Sequence, residues 1–248
     1  MPGNKNHWGE SVMKIITWNC NKGFRNKVKL ISQHKPDIAV IQECENINEI
    51  IFDDTIQPFN KYHYALKNIG IGLLSYTNYQ FNPFNINETY IKLDLGIQSN
   101  VTGPINFQLL GLWTGPHKND ESIHYVNSVI TFLEKYGDWV KKSNTIILGD
   151  FNSNATYDLK LKKPHLKMLN LMDDVGLCSA YHEFFNEEQG KETRSTFYLY
   201  RKNESKQHID HIFIPKKLKN NIKSIEIGKF DDWSAYSDHM PFIMDIDM

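Results

Sequence analysis

The chain has 248 residues, of which 40% are hydrophobic and 23% charged, and its formal net charge is -1. This is the composition of an ordinary soluble globular protein with enough apolar material for a sizeable core. It carries no global basic footprint of a dedicated nucleic-acid binder, although bound divalent metal would add positive charge that a residue count omits.

Residues 1–12 read as a loose polar extension, and one compact domain is expected over 13–248. Residues 14–18 form a first strand ending in Asn19-Cys20-Asn21. Residues 26–34 carry Val28, Leu30 and Ile31 among polar neighbours, predicting a short helix capped by Asn26. Residues 37–42 form a second buried strand that ends at Glu43. Strands are then expected over 62–66, 71–76, 89–95 and 105–113, separated by Asn, Gly and Pro turns. A long helix is expected over 120–139. Its apolar stripe is Ile123, Val126, Val129, Ile130 and Leu133, and Asp120 and Glu121 suit the dipole at its start.

Ile146-Ile147-Leu148 reads as a buried strand that delivers Gly149-Asp150-Phe151-Asn152 at its C-terminal end. A helix is expected over 163–172, then strands over 195–200, 209–214, 222–227 and 241–246. The two halves have a similar order of strand, helix and antiparallel strands. That order predicts an α/β (α+β) fold with two β-sheets face to face and helices outside.

The cysteines Cys20, Cys44 and Cys178 have neither zinc-ligand spacing nor a disulfide framework. Cys20 and Cys44 each follow a candidate site residue and are expected to face the core as small hydrophobes. No apolar run approaches the roughly 18 residues that span a membrane. The first ten residues lack a signal-peptide core, so the expected compartment is the cytoplasm. No obligate protein partner is inferred.

Five places at strand ends carry polar side chains: Asn19, Glu43, Asp150 with Asn152, Asp210, and Asp238 with His239. If the strand persists past Gly149, Asp150 and Asn152 share one face and Phe151 turns into the packing. The plainer alternative is a turn in which Asp and Asn satisfy backbone groups. Convergence of the five would crowd carboxylates that repel one another unless positive charge is present. Oxygen ligands without a thiolate favour Mg²⁺ or Mn²⁺ over zinc, which is the chemistry of phosphoester hydrolysis.

The segments Ile16-Thr17-Trp18-Asn19, Asp37-Ile38-Ala39-Val40-Ile41-Gln42-Glu43, Leu148-Gly149-Asp150-Phe151-Asn152, His208-Ile209-Asp210-His211-Ile212-Phe213 and Ser237-Asp238-His239-Met240-Pro241 occur in that order. Together they resemble the endonuclease/exonuclease/phosphatase superfamily, which includes exonuclease III-like and deoxyribonuclease I-like enzymes. The resemblance implies a four-layered α/β sandwich and site roles by position. Glu43 is implied as principal metal ligand, and Asp238 as second ligand or water-mediated support. Asn19 would support Asp150, which would orient or deprotonate the attacking water. Asn152 would contact the scissile phosphate. His239 would hydrogen-bond or protonate a nonbridging oxygen, with Asp210 fixing its imidazole.

Relatives often carry an aspartate at the position of Asn21, which is therefore either a weak ligand or a loop cap. After the strand ending near Trp113 they carry a histidine or tyrosine that assists at the phosphate or leaving group. Thr114 or His117 fills that place here, with His117 preferred.

A nuclease acting on DNA rather than RNA is the first expectation. A phosphatase or phosphodiesterase for a lipid headgroup, nucleotide or inositol phosphate is the alternative, and a non-catalytic binding module the remote one. Lysines around 160–167 and 216–223 are either a track for a nucleic-acid backbone or solvated surface. Trp113 and Tyr198 are expected among the substrate-binding residues, and the 179–201 stretch is expected to contribute to recognition.

Overall fold

The computed structural model describes residues 12–53, 57–66, 68–84, 96–116, 125–159 and 164–248. Its first strands are β1 (Val12–Asn19), β2 (Ile38–Glu45), β3 (Asn60–Leu66), β4 (Ile69–Ser75), β5 (Gln80–Pro83), β6 (Gly96–Thr102) and β7 (Phe107–Trp113). They are followed by β8 (Thr145–Asp150), β9 (Leu177–Ser179), β10 (Phe197–Tyr198), β11 (Lys206–Gln207), β12 (Asp210–Pro215), β13 (Ile222–Ile227) and β14 (Phe242–Asp247). The helices are α1 (Val28–Ser32), α2 (Val126–Lys142), α3 (Pro164–Asp174), α4 (Ala180–Phe185) and α5 (Phe230–Trp233).

Two six-stranded sheets run in the orders β13-β14-β1-β2-β4-β3 and β5-β6-β7-β8-β12-β9. Each has a parallel pair at its centre, β1 with β2 and β7 with β8, and the crossover between them carries α1 or α2. The strands flanking these pairs are antiparallel. An antiparallel neighbour begins where its partner ends, so the starts of β12 and β14 lie beside the ends of β8 and β1. That arrangement brings the five polar strand ends to one edge of the sandwich.

The unbroken Ile146-Ile147-Leu148 run follows from burial on both faces of β8. Ile146 and Leu148 join the core between the sheets with Ile16, Val40 and Ile71. Ile147 joins a second core with Val129, Phe132 and Met168, where α2 and α3 cover the outer face. Each such side chain contributes about 1.5–3 kcal/mol when fully buried. Between the sheets, a Cβ at Gly111 would meet Val40 Cγ1 and Ile97 Cγ2 at 3.0 Å, so the absence of a side chain sets that close approach.

Some elements differ from their sequence-based expectation. Val12, assigned to the extension, already pairs with Asp247 in β1. Asn26 does not cap α1, because its N–H is used in a 3-10 turn on Gly23 O and Lys27 takes the cap position. The 195–200 strand shortens to β10 because Tyr200 adopts φ 55. The expected strand at 89–95 and the start of the long helix, with Asp120, Glu121 and Ile123, lie outside the described residues. Among the described residues, no helix is long and apolar enough to cross a membrane.

Candidate active site

The backbone turns sharply at the end of β8. Gly149 pairs with Leu112 at φ 138, and a Cβ there would lie 2.0 Å from the Leu112 carbonyl oxygen. Glycine is therefore required, and the kink delivers Asp150 to the sheet edge. The strand does not persist to Asn152, which is left-handed at φ 46. Asn152 and Asp150 still meet, by a tight turn rather than by strand alternation. Asn152 N donates to Asp150 Oδ1 at 2.9 Å, and Asn152 Nδ2 donates to Asp150 Oδ2 at 3.1 Å and to Thr114 O at 2.8 Å. Phe151 turns into the core against Phe213 and His211.

β2 contributes Glu43 through a bulge. Gln42 pairs with Ile71 and Cys44 with Gly70, leaving Glu43 as the extra residue at φ 53. Left-handed backbone on a long acidic side chain is a strained choice that marks functional edges. Asn19 bridges the two acids, with Nδ2 donating to Glu43 Oε1 at 3.2 Å and to Asp150 Oδ2 at 3.0 Å. Asn21 N donates back to Asn19 Oδ1 at 3.0 Å, and Asn21 Nδ2 donates to Asp238 Oδ1 at 2.9 Å.

Opposite Asp150, the carboxylate of Asp210 receives His239 Nδ1, with Oδ2 at 2.9 Å and Oδ1 at 3.2 Å. His239 Nε2 lies 3.8 Å from Asp150 Oδ2, too far for a hydrogen bond. Several buried groups fix this pair. Thr196 Oγ1 accepts the Ile209 and Asp210 N–H groups, and Thr196 O accepts Met240 N. Ser237 Oγ donates to Asn19 O at 2.7 Å, and Trp18 Nε1 donates to His239 O at 2.9 Å. The Phe197 ring packs 4.7 Å from the imidazole.

Burial acts on both ionisable partners. Burial pushes the Asp150 carboxyl up to about 7, with His239 lowering it and Asp210 raising it further. For His239, burial lowers the imidazole, but Asp210 and Asp150 outweigh that and raise it to about 10. A proton acceptor poised near neutrality thus faces an imidazolium. One ligand atom each from Asp150, Asp210 and His239 lies within 4.8 Å of the others. The neighbouring donors, on Glu43, Asp238 and the Asn21 amide, are oxygens. The Cys20 and Cys44 thiols are fully buried and directed at backbone carbonyls. This oxygen-rich set fits a hard divalent cation.

The remaining candidates fall in different places. Trp113 is half-buried beside Asp150 in the β7–β8 pair. Thr114 is buried, its hydroxyl donating to Phe151 O at 2.6 Å, so it locks the Asn152 turn. Tyr198 is 8% exposed and its ring packs on Phe230, while its backbone N–H donates to Asp238 O at 2.8 Å. His117, Lys160, Lys162 and Lys163 lie outside the described residues. His165 is buried, and Lys167, Lys216, Lys219 and Lys223 pair with Glu134, Asp173, Glu183 and Asp247. Those pairs favour the solvated-surface reading of the lysines. The sequence offers Phe197 only as one of several aromatics able to stack bases and Ser237 only as part of a motif, and it gives no sign of Thr196; their supporting contacts depend on tertiary pairing.

No curated protein sequence matches the chain. Two similar solved structures are an AP endonuclease from Archaeoglobus fulgidus and a variant of the 3' phosphatase NExo from Neisseria bound to product DNA hairpin. The first is 18% identical with a TM-score of 0.71, and the second 19% identical with a TM-score of 0.68. Each alignment covers 95% of this chain and 100% of the other, and the likeness establishes the shared fold. The profile of the Endonuclease/Exonuclease/phosphatase family matches residues 16–239. With that match over nearly the whole described sandwich, the chain belongs to the endonuclease/exonuclease/phosphatase family.

Proposed function

We propose that the chain is a divalent-metal-dependent phosphoesterase that hydrolyses phosphodiester bonds in DNA. The observation that carries this reading is the Asp150 carboxylate, held by two amides and faced at 3.8 Å by an imidazole anchored on Asp210. Asp150 takes the proton of the attacking water, since a base with a pKa of about 7 suits neutral pH. Nε2–H of the His239 imidazolium donates to a nonbridging phosphoryl oxygen, and Asp210 keeps the ring oriented and charged. Asn19 and Asn152 orient Asp150. Both Nδ2 protons of Asn152 are committed, so its first role is to aim the carboxylate, and contact with phosphate requires giving up one bond.

Mg²⁺ or Mn²⁺, held by Glu43 and Asp238 with the Asn21 amide oxygen alongside, would supply Lewis-acid polarisation of the phosphoryl group. With the Thr114 hydroxyl committed to Phe151 O, His117 is the proposed residue at the leaving group. Trp113 is the proposed stacking surface, and Tyr198 contributes through its backbone hold on Asp238.

The AP endonuclease and the DNA-bound 3' phosphatase among the structural neighbours favour DNA as the substrate. A panel of labelled single- and double-stranded DNA, RNA and small phosphate monoesters with Mg²⁺ or Mn²⁺ tests the assignment. A DNA nuclease cuts internal or terminal phosphodiesters and loses activity steeply between about 50 and 200 mM salt. Intact strands with salt-insensitive phosphate release would replace it with the phosphatase reading.

A further inference from the structure

Lys27 has no place in the chemistry above, yet its ammonium is built into the walls of the site. Nζ donates to three main-chain carbonyls, Cys20 O at 2.6 Å, Lys22 O at 2.7 Å and Tyr236 O at 2.7 Å. Two belong to the loop after β1, and the third lies 209 residues away in the loop before β14. Those loops carry Asn21, just past Asn19 at the end of β1, on one side and Asp238 and His239 on the other. An ammonium has three N–H donors, and here all three are spent on backbone.

Three carbonyl oxygens aimed at one point repel one another unless a cation sits between them. The β1 loop has a particular need of that cation. Asn21, Lys22 and Gly23 are consecutive left-handed residues at φ 48, 63 and 62, and two of them are not glycine. Left-handed backbone is strained for residues other than glycine, and Lys22 lacks the short polar side chain that eases it for Asn21. The same left-handed run turns Asn21 towards Asp238 and sends its N–H back to Asn19. Further ties surround the clamp. Ser237 Oγ holds Asn19 O, the Lys27 ammonium lies 5.9 Å over the Trp18 ring, and Arg201 Nη1 donates to Ala235 O at 3.2 Å.

We propose that Lys27 is a positioning residue, an internal cation that gathers the 19–23 and 235–239 loops and so sets the Asn21–Asp238 pair. What that pair does in catalysis rests on the function proposed above; the clamp itself rests on the three carbonyl contacts. The geometry also assigns the cation's type. A compact ammonium meets three convergent acceptors, whereas the planar guanidinium fork of arginine does not.

The test is Lys27→Ala, which retains Cβ and leaves room for n-propylammonium added in solution. The variant is expected to lose about 10- to 100-fold in kcat, the scale for a group that orients ligands, with KM little changed. n-Propylammonium restores kcat saturably, while trimethylpropylammonium, which has no N–H donor, does not. Lys27→Arg stays impaired, and the exposed Lys29→Ala behaves as native with or without amine. The second readout is the Asn21 side-chain amide pair in ¹⁵N NMR spectra, which shifts in Lys27→Ala and returns with n-propylammonium. If Lys27→Ala does not fold, Lys27→Met keeps the apolar stem and is expected to show the same kcat loss and amide shift without rescue.

Native kcat and unshifted Asn21 resonances in either variant overturn the proposal, as does equal rescue by both amines or full activity in Lys27→Arg. If the native protein hydrolyses no phosphoester, the proposed function fails, and the Asn21 resonances still decide the role of Lys27.

Discussion

Replacing Asp210 by Asn retains the shape of the side chain and removes the charge that holds the His239 imidazole. In the native protein His239 has its pKa raised from 6.5 to about 10, so it stays charged throughout the neutral range. Without Asp210, the lowering by burial and the raising by Asp150 oppose each other, and the ordinary value near 6.5 becomes the reference. At pH 8 about 3% of such an imidazole is protonated, and at pH 6 about three quarters. If the imidazolium donates to the phosphoryl oxygen, kcat of Asp210→Asn should fall roughly 30-fold at pH 8 and less than about twofold at pH 6. The assay is single-turnover cleavage of the best substrate by both proteins across that range, expressed as the native-to-variant ratio. Asp210 is the largest raising influence on His239, whereas for Asp150 it ranks behind burial and His239, so the change of the ratio with pH follows mainly the imidazole. A ratio constant with pH would make Asp210 a packing residue only, and no deficit would remove the pair from the reaction.

Other consequences are independent of that one. Glu43→Gln should weaken both activity and the rise in melting temperature on Mg²⁺ titration; unchanged values for both exclude Glu43 from metal binding. Gly149→Ala places a methyl against the Leu112 carbonyl at 2.0 Å in left-handed backbone. It should cost at least about 3 kcal/mol and lower the melting temperature by about 6–12 °C, and a native-like melt would refute the role given to that kink. Burial lowers His208 from 6.5 to about 4, so the folded state resists a proton that the unfolded chain accepts. This contribution is full above pH 6.5 and is lost as pH falls towards 4, amounting to about 3 kcal/mol. His208→Asn keeps a donor for Arg194 O and should flatten that part of the pH–stability curve; an unchanged curve would reject the assignment.

The residue types at the site were legible because each lies at the edge of a strongly apolar strand. Ile146-Ile147-Leu148 and Ile38-Ala39-Val40-Ile41 announce buried strands whatever their partners. What was not legible depends on pairing. The extra residue at Glu43 exists only relative to β4, and no local pattern in β2 reveals it. The left-handed turn at Asn152 is stabilised by Thr114 O from a different strand, so alternation along β8 predicted the right neighbour for the wrong reason. Lys27 reads as one more surface lysine until the loop before β14 folds over it. Tyr198 is expected to bind substrate from a strand over 195–200, but Tyr200 breaks that strand and Tyr198 turns onto Phe230.

The central claim is that Asp150 is the proton acceptor of a metal-assisted phosphodiester hydrolysis. The most direct measurement is Mg²⁺-dependent cleavage of end-labelled DNA by the native protein and by Asp150→Asn, with matched circular dichroism to establish equal folding. The account predicts cleavage by the native protein and a loss of at least about 10²-fold in the variant, the lower end expected for removing a general base. Equal cleavage by both folded proteins would contradict it.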